Sequence, residues 1–322
     1  MILDSYRQVI EKHFHHGEIH SSTPINVGWS SFVVDINGDY IFRFPRREEI
    51  RQAQAKEIRL LPELGKALGY RAALSLQVPV FEYILTADNL LECAVGYKKI
   101  LGVPLTKGLI DSPEIPGQLG KFLTDLHRFP VEFARQLAVP GVNGVGEATT
   151  ADWIKKYEKL YAWVKENAFP LLTDSVCARW VRIWEDFLCD SANFRYQPVL
   201  IHGDLAGEHI LCDPELKTVT GIIDWEDACI GDLAMDFVDL FKVGGRDFIE
   251  KVLQYYENEL GDNFWSRILF YAGIAPFYEV QYGLLIGGTS EGVPSDEFHL
   301  QHGLSMLALP VAGKQLMEIN YD

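Results

Sequence analysis

Three short apolar runs, each ended by polar residues, interrupt a half of the chain in which apolar residues otherwise recur at helical spacing. These runs are Gln197–Ile201, Ile210–Cys212 and Val219–Ile223. The first is followed by His202, Gly203 and Asp204, and the third by Asp224. A carboxylate at the end of a strand is held by rigid backbone and still reaches solvent or substrate. The segment from Pro198 to Asp224 is therefore predicted to be a β-rich island that carries functional side chains.

The acidic and imidazole side chains of this island suit phosphoryl transfer. That reaction needs a carboxylate to orient the attacking hydroxyl, and it needs ligands for Mg²⁺. Asp204 suits the first role, and Asp224 and His209, brought together by a hairpin, suit the second. Because Mg²⁺ prefers oxygen ligands, His209 either binds the metal itself or holds a metal-bound water or a phosphate oxygen. The alternative interpretation is that these residues only cap strand ends, as Asp often does in turns.

The first hundred residues predict a small, mostly antiparallel sheet that carries one long helix. Asn37-Gly38, between two alternating apolar runs, is the strongest hairpin signal that a short sequence can give. Strands are expected at Ile25–Ile36, Tyr40–Phe44, Val80–Leu85 and Leu91–Ile100, the long helix at Glu48–Leu68, and a preceding helix at Asp4–His16.

After Gly102-Val103-Pro104 the pattern becomes largely helical. Helices are expected at Pro116–Arg128, Ala151–Asn167, Ser175–Leu188, and from Leu233 to near the end. A boundary between Ile100 and Leu105 divides the chain into an N-lobe, residues 1–100, and a helical C-lobe with a small β-hairpin insert, residues 101–322. The predicted fold class is α+β with two lobes, and active sites commonly form in the cleft of such a pair.

An ion pair between the predicted sheet and its helix follows from the residue pattern. Ile41 and Arg43 share one face of a strand. Glu57 lies within the apolar stripe of the following helix, where an unpaired acid is unfavourable. We therefore expect Glu57 to pair with Arg43, either as a structural salt bridge or as part of a nucleotide site.

Composition excludes several classes of partner. The formal net charge is −16, which disfavours binding to nucleic acid or to an anionic membrane. No apolar stretch approaches the ~20 residues that span a bilayer, and no signal peptide is recognisable, so a cytoplasmic protein is expected. The five cysteines are dispersed, which favours reduced thiols over disulfides or a zinc site. The oligomeric state is left open.

The two motif blocks resemble those of a known family. V-L-I-H-G-D-L-A-G-E-H-I-L followed by G-I-I-D-W is similar to the antibiotic-kinase branch of the protein-kinase-like fold, which contains aminoglycoside phosphotransferases and macrolide phosphotransferases. The resemblance implies ATP or GTP as co-substrate, Mg²⁺ as cofactor, Asp204 as catalytic residue and Asp224 as metal ligand. His209 stands where the general pattern has Asn, in agreement with the aminoglycoside 2″-phosphotransferases and the macrolide kinases.

Further site residues are implied by the same resemblance. Asp236 braces the catalytic loop through backbone amides, and His202 supports the site. Apart from the resemblance, the position of Asp232 predicts an N-cap for the helix that begins near Leu233. Arg43 replaces the Lys of most relatives, and its Glu lies fourteen residues on, at Glu57. The candidate nucleotide-binding residues are Arg43 and Glu57, the loop residues Gly28, Ser30 and Ser31, and Lys98 and Ile100 through their main chain.

The acceptor is a small molecule, and the sequence leaves its class open. A polycationic aminoglycoside would need the acids Glu257, Glu259, Asp262 and Glu279, and a macrolide would need an aromatic wall from Phe264, Trp265, Phe270, Tyr271, Phe277, Tyr278 and Tyr282. Lys242–Arg246 stands where 2″ enzymes tend to carry acids, which counts against aminoglycoside specificity. The expected order is an aminoglycoside, a macrolide, then a housekeeping metabolite, with a non-catalytic nucleotide-binding pseudokinase as the alternative that is not an enzyme.

Overall fold

The computed structural model describes residues 2–25, 30–70, 76–141, 149–285 and 296–309. An antiparallel sheet forms most of the N-terminal part, with strand order β1-β2-β3-β5-β4. Its strands are β1 (Ser22–Ile25), β2 (Ser31–Ile36), β3 (Tyr40–Pro45), β4 (Phe81–Leu85) and β5 (Ala94–Lys98). The predicted hairpin turn between β2 and β3 is confirmed, since Asn37 and Gly38 both adopt positive φ, at 58° and 76°.

Two helices cover this sheet. Helix α1 (Ile2–His13) contributes Tyr6 and Ile10 to a small core with Phe42 and Phe44. Helix α2 (Glu48–Tyr70) matches the predicted long helix. Its buried leucines, Leu60, Leu61, Leu64 and Leu68, belong to the larger core of the C-terminal part. Helix α2 therefore connects the two halves of the molecule.

Strand boundaries differ from the predictions in more than one place. Where one strand was expected over Ile25–Ile36, β1 ends at Ile25 and β2 begins at Ser31. The strand expected from Leu91 begins at Ala94, and Leu90–Glu92 forms a 3₁₀ turn instead. The side chain of Asn89 accepts a hydrogen bond from the amide of Leu91 and so stabilises that turn. A local polar cap has overridden the apolar strand pattern.

The C-terminal part is mainly helical, and α+β is confirmed as the fold class. Its helices are α3 (Glu114–His127), α4 (Val131–Gln136), α5 (Thr150–Trp163), α6 (Asp174–Cys189), α7 (Val238–Leu253), α8 (Phe264–Leu285) and α9 (Asp296–Ala308). A 3₁₀ turn at Leu233–Phe237 precedes α7, and Asp232 caps it by accepting from the amide of Ala234, as predicted. Helix α7 is kinked at Gly245, where φ is 66°. All five cysteines are free.

The β-rich island divides into two small sheets. In one, β7 (Val199–Ile201) pairs with β10 (Cys229–Gly231). In the other, β8 (Ile210–Asp213) lies between β6 (Val103–Pro104) and β9 (Thr218–Ile222). Gln77 forms a further bridge to Gly221 of β9. The predicted boundary at residue 100 falls between β5 and β6. The bridge from Gln77 to β9 links the N-terminal and C-terminal parts. The division into two domains stays a prediction.

Candidate active site

The loop after β7 presents Asp204 to solvent. Gly203 adopts a φ of 85°, and a Cβ atom there would lie 2.5 Å from the carbonyl oxygen of Asp227. Only glycine accommodates both the positive φ and this close approach. The turn leaves the Asp204 side chain 46% exposed. Partial burial raises the pKa of Asp204 to about 6, against the effect of the nearby His209.

The carboxylate of Asp236 holds the backbone of this loop in place. It accepts hydrogen bonds from the amides of His202 and Gly203, each at 2.9 Å. His127 contacts the same carboxylate through Nε2 at 3.1 Å and the hydroxyl of Tyr256 through Nδ1 at 2.8 Å. This geometry is the one required for a bracing residue. His127 lies more than a hundred residues away in sequence, and no motif marks it.

His202 links the loop to the strand end before Asp224. Its Nε2 donates to the carbonyl of Ile223 at 3.0 Å, and its Nδ1 accepts from the amide of Asp204 at 3.3 Å. Burial lowers the pKa of His202, so the neutral imidazole can serve as both donor and acceptor. The ring therefore joins the two polar ends of the island.

His209 and Asp224 lie side by side next to Asp204. His209 Nδ1 donates to the carbonyl of Asp204 at 2.8 Å, and His209 Nε2 lies 3.5 Å from Asp224 Oδ2. Burial opposes the charged imidazole, but Asp224 and the Asp204 carbonyl raise the pKa of His209. Asp224 itself adopts a φ of 64°, an uncommon conformation outside glycine. The hairpin thus brings together the three residues predicted from the island.

The predicted Arg43–Glu57 contact is present, and it is part of a larger network. Arg43 Nη1 bonds Glu57 at 2.8 Å, and Nη2 bonds Asp224 at 3.0 Å and Glu226 at 3.1 Å. Burial disfavours the guanidinium charge, but Glu57 and Asp224 more than offset this and raise the pKa of Arg43. Burial raises the pKa of Glu57, against the effect of Arg43. The network connects α2 and β3 to the residue predicted to bind metal.

Glu226 was missed by the sequence analysis. One of its carboxylate oxygens bonds Arg43, and the other accepts from the Ser30 hydroxyl. Burial and the nearby Asp224 raise the pKa of Glu226 to about 7. Ser31 is buried and accepts from Gln54 at 3.4 Å, so Ser30 is the loop serine that reaches the acids. Gly28 lies outside the described residues.

Lys56 was also missed, although it is adjacent to Glu57. Its ammonium is buried and donates to the carbonyls of Glu226 at 2.5 Å and Ala228 at 2.7 Å. Burial lowers the pKa of Lys56. Consecutive residues of α2 thus hold the segment that follows β9, one through Arg43 and the other directly.

A cleft of about 380 Å³ opens above this network. Arg43, His209 and Asp224 lie at one end, and Tyr97, Ile100 and Gly102 line it elsewhere. Lys98 ends β5 with an exposed side chain. Its neighbours Tyr97 and Lys99 line the cleft, as does Ile100. The volume is within the range of ligand pockets, and the Arg43 guanidinium and the Asp224 carboxylate both line it.

The acids predicted for acceptor binding are engaged on the surface. Glu257 pairs with Arg128 at 2.9 Å, Asp262 with Arg195 at 3.1 Å and Glu279 with His302 at 2.5 Å, while Glu259 is exposed. Of the predicted aromatics, four are buried in the core: Phe264, Phe270, Tyr271 and Phe277. Trp265 packs against Arg246, Tyr282 packs against His299, and Tyr278 is 39% exposed. None of these acids and aromatics lines the cleft beside Asp224 or the second cavity of the described residues.

A second cavity, of about 550 Å³, lies in the C-terminal part. Helices α7 and α8 form much of its wall, through Phe241, Val243 and Leu269 among others, and Lys107 and Lys242 also line it.

Asp224 and His209 fit the requirements of a magnesium site completed by a nucleotide. Asp224 Oδ2 and His209 Nε2 are 3.5 Å apart and both lie at the cleft. Mg²⁺ is usually held by only one or two protein side chains together with substrate phosphates and water. The residues present are therefore compatible with the predicted cofactor.

A sheet and a helical region that meet at a cleft of this kind are the architecture of the protein-kinase-like class. Within that class, the chain belongs to the phosphotransferase enzyme family, APH, whose sequence profile matches residues 21–271. The family predicted from the motif blocks is thereby confirmed.

Solved structures extend this similarity over nearly the whole chain. The GDP and kanamycin complex of an aminoglycoside phosphotransferase, APH(2″)-IIIa, superposes with a TM-score of 0.79 at 28% identity, covering 94% of this chain and 96% of the other. Macrolide 2′-phosphotransferase MphH from Brachybacterium faecium superposes with a TM-score of 0.70 at 19% identity, covering 96% of this chain and 98% of that one. At that identity the second likeness shows the fold alone.

Curated relatives match over shorter stretches. Viomycin phosphotransferase of Streptomyces vinaceus is 26% identical over 161 residues, which cover 48% of this chain and 52% of the relative. The chain spans about half the length, or less, of the curated relatives it matches. None of the helices among the described residues has the length and apolar character to cross a membrane.

Proposed function

We propose that this protein transfers the γ-phosphate of ATP or GTP to a hydroxyl group of a small organic molecule. The observation that carries the proposal is the placement of Asp204 beside His209 and Asp224, with Arg43 at the same end of the cleft. A general base, metal ligands and a phosphate-binding cation are the groups that phosphoryl transfer requires.

The proposed roles follow from the contacts of each residue. Asp204 accepts a hydrogen bond from the acceptor hydroxyl and orients its oxygen for in-line attack on the γ-phosphorus. As the new O–P bond forms and the bond to the β-phosphate oxygen breaks, the hydroxyl proton passes to the Asp204 carboxylate. Arg43, held by Glu57, neutralises charge on the phosphates. Most of the rate enhancement would come from positioning and electrostatics.

Support for the nucleotide comes from the cleft and from the relative crystallised with GDP. The purine would lie against Ile100 and the end of β5, where main-chain groups of Lys98 and Ile100 can bind its edge, while Ser30 lies near the phosphates. Asp224 and His209 would hold Mg²⁺, which when bound supplies positive charge that offsets the charge developing on the phosphates.

The relatives suggest two acceptors, the aminoglycoside kanamycin and viomycin, and the sequence resemblance adds the macrolides. A polycationic aminoglycoside, the first expectation from the sequence, needs several carboxylates around the acceptor. Three of the four candidate acids are paired on the surface, so an aminoglycoside loses its main support within this chain. We therefore propose a small-molecule alcohol as the acceptor and no longer rank an aminoglycoside above the other classes.

The test is nucleotide consumption by the wild type and Asp204→Ala, with ATP and GTP, against a panel of aminoglycosides, macrolides and other hydroxylated compounds. The expected result is acceptor-dependent turnover by the wild type that Asp204→Ala loses while it still binds nucleotide. Glu132→Ala, which removes a carboxylate that is 78% exposed, is the matched control. Nucleotide binding without turnover on any acceptor would favour the pseudokinase alternative.

A further inference from the structure

We infer that the cavity between α7 and α8 is the acceptor pocket, and that it takes a hydroxylated molecule with an apolar ring body and an anionic group. The inference rests on the proposed function, since it concerns the substrate of the same site. The inferred acceptor is anionic, unlike the polycationic aminoglycoside that the sequence analysis placed first.

The position of the cavity supports its assignment to the acceptor. Gly207, three residues after Asp204, packs closely against Leu105 and against the cavity-lining Val243: a Cβ there would lie 2.7 Å from the Leu105 carbonyl oxygen and 3.3 Å from a methyl group of Val243. The Leu105 amide also donates to the carbonyl of Gly207 at 2.9 Å. Val243 itself lines the cavity. A molecule bound there is next to the turn that carries Asp204 and His209.

The walls of the cavity are largely apolar. They include Ile110, Phe241, Val243, Leu269, Pro276 and Met306. The volume of about 550 Å³ is within the range that encloses a drug-sized ligand. At the kink in α7, Gly245 opens the wall further, because a Cβ at this position would meet no atom within 4 Å. Such walls favour a ring system with an apolar face over a fully hydroxylated sugar.

The charged residues of the cavity are all basic. Lys107 and Lys242 line it, and no carboxylate does so among the described residues. The chain carries 45 acidic and 29 basic residues. The positive charge of this lining is therefore opposite in sign to the net charge of the chain. Two lysines would repel a polycation and attract an anion.

The two lysines differ in their ion pairs within the protein. Lys107 is exposed and forms no ion pair with any residue in the described part of the chain. Lys242 pairs with Asp239 at 2.7 Å, which neutralises the acid one turn earlier on α7. An ammonium has three donors, so Lys242 keeps donors for a ligand. Lys107 is thus the main candidate for the anionic group, and Lys242 is the second.

The experiment measures binding of a probe of the predicted chemistry, 8-anilinonaphthalene-1-sulfonate, which joins apolar rings to a sulfonate. Its Kd is measured by fluorescence for the wild type, Lys107→Glu and the double variant Lys107→Glu/Lys242→Glu. Lys159→Glu, an exposed lysine on α5 outside the cavity, is the matched control. Kanamycin binding to the same proteins is measured by calorimetry.

The double variant is expected to weaken probe binding by about 10-fold or more, as the loss of favourable charge contacts worth ~1.4 kcal/mol implies. It is also expected to strengthen kanamycin binding, while Lys159→Glu changes neither. Lys107→Met, which removes charge without reversing it, separates an electrostatic effect from a folding defect. An unchanged probe Kd in the double variant, or tighter kanamycin than probe binding in the wild type, would overturn the inference.

Failure of the proposed function gives a different result. If the protein is not a phosphotransferase, transfer from ATP or GTP to every alcohol tested is absent, whatever the probe affinities are. If only the acceptor inference is wrong, Asp204-dependent transfer is present, and the acceptors that react are polycations.

Discussion

At the scale of single residues, Asp204 combines a proposed catalytic role with unfavourable partial burial. The folded protein raises its pKa to about 6, above the unfolded value of about 4. The folded state therefore binds the proton more tightly, and stability decreases as pH rises from about 4 to about 6. Above that range the unfavourable contribution is fully present.

We predict that Asp204→Asn abolishes phosphotransfer but raises the Tm of the metal-free protein at pH 8, because it removes a carboxylate that folding disfavours. The gain should shrink at pH 5, where the wild-type carboxyl is largely protonated. Differential scanning calorimetry in the presence of a chelator measures both values. Asp262→Asn, at an exposed acid, is the control. A lower Tm for Asp204→Asn at pH 8 would contradict this account of the site.

The residues that sequence reasoning could and could not find differ in a physical way. Asp204 and Asp224 follow apolar strands, and Glu57 interrupts an apolar stripe, so local pattern marks each of them. Lys56, Glu226 and His127 contact partners more than a hundred residues away, and each lies in a local sequence that gives no signal. Their burial depends on tertiary packing alone.

At the scale of elements, α2 is the helix that joins the sheet to the segment that follows β9. Glu57 acts through Arg43, and Lys56 holds the carbonyls of Glu226 and Ala228, which follow Asp224. A displaced α2 would therefore move the Arg43 side chain and the segment of Asp224 together. Lys56 is a positioning residue in this description.

We predict that Lys56→Met lowers kcat/KM by about 10- to 100-fold and raises the Mg²⁺ concentration needed for half-maximal activity, as loss of an outer-shell contact does. Lys56→Arg should restore part of the activity, because a guanidinium can still donate to both carbonyls. Lys66→Met, on the exposed face of the same helix, is the control. A variant with lowered Tm but a wild-type Mg²⁺ dependence would reduce Lys56 to a structural role.

The elements themselves were predictable where one local signal dominated. The Asn37-Gly38 hairpin and the long amphipathic α2 match their predictions closely. The turn at Leu90–Glu92 was missed because a side-chain cap outweighed strand propensity. The aromatics of α8 are mostly core, since Phe270 stacks on Phe187 and Tyr271 bonds Asp232, so helical spacing alone could not show which face is a pocket.

At the scale of the whole molecule, the loop that carries Asp204 adjoins both cavities: His209 lines the cleft, and Gly207 packs against Val243 of the second cavity. In the proposed function and the further inference, the cleft binds a nucleoside triphosphate and the cavity between α7 and α8 binds the acceptor. Because α2 contributes leucines to the larger core, this helix links the sheet to the helical part. Fold and family were accessible from the sequence, whereas the acceptor depends on which side chains line a cavity.

The most direct test of the central claim follows the γ-phosphate itself. ATP or GTP labelled in the γ-position is incubated with the wild type or Asp204→Asn and an acceptor found active in the panel, and the products are identified by mass spectrometry. The account predicts that the label appears as a phosphate ester on an acceptor hydroxyl with the wild type and is lost with Asp204→Asn. Label transfer that is equally fast with Asp204→Asn would contradict it.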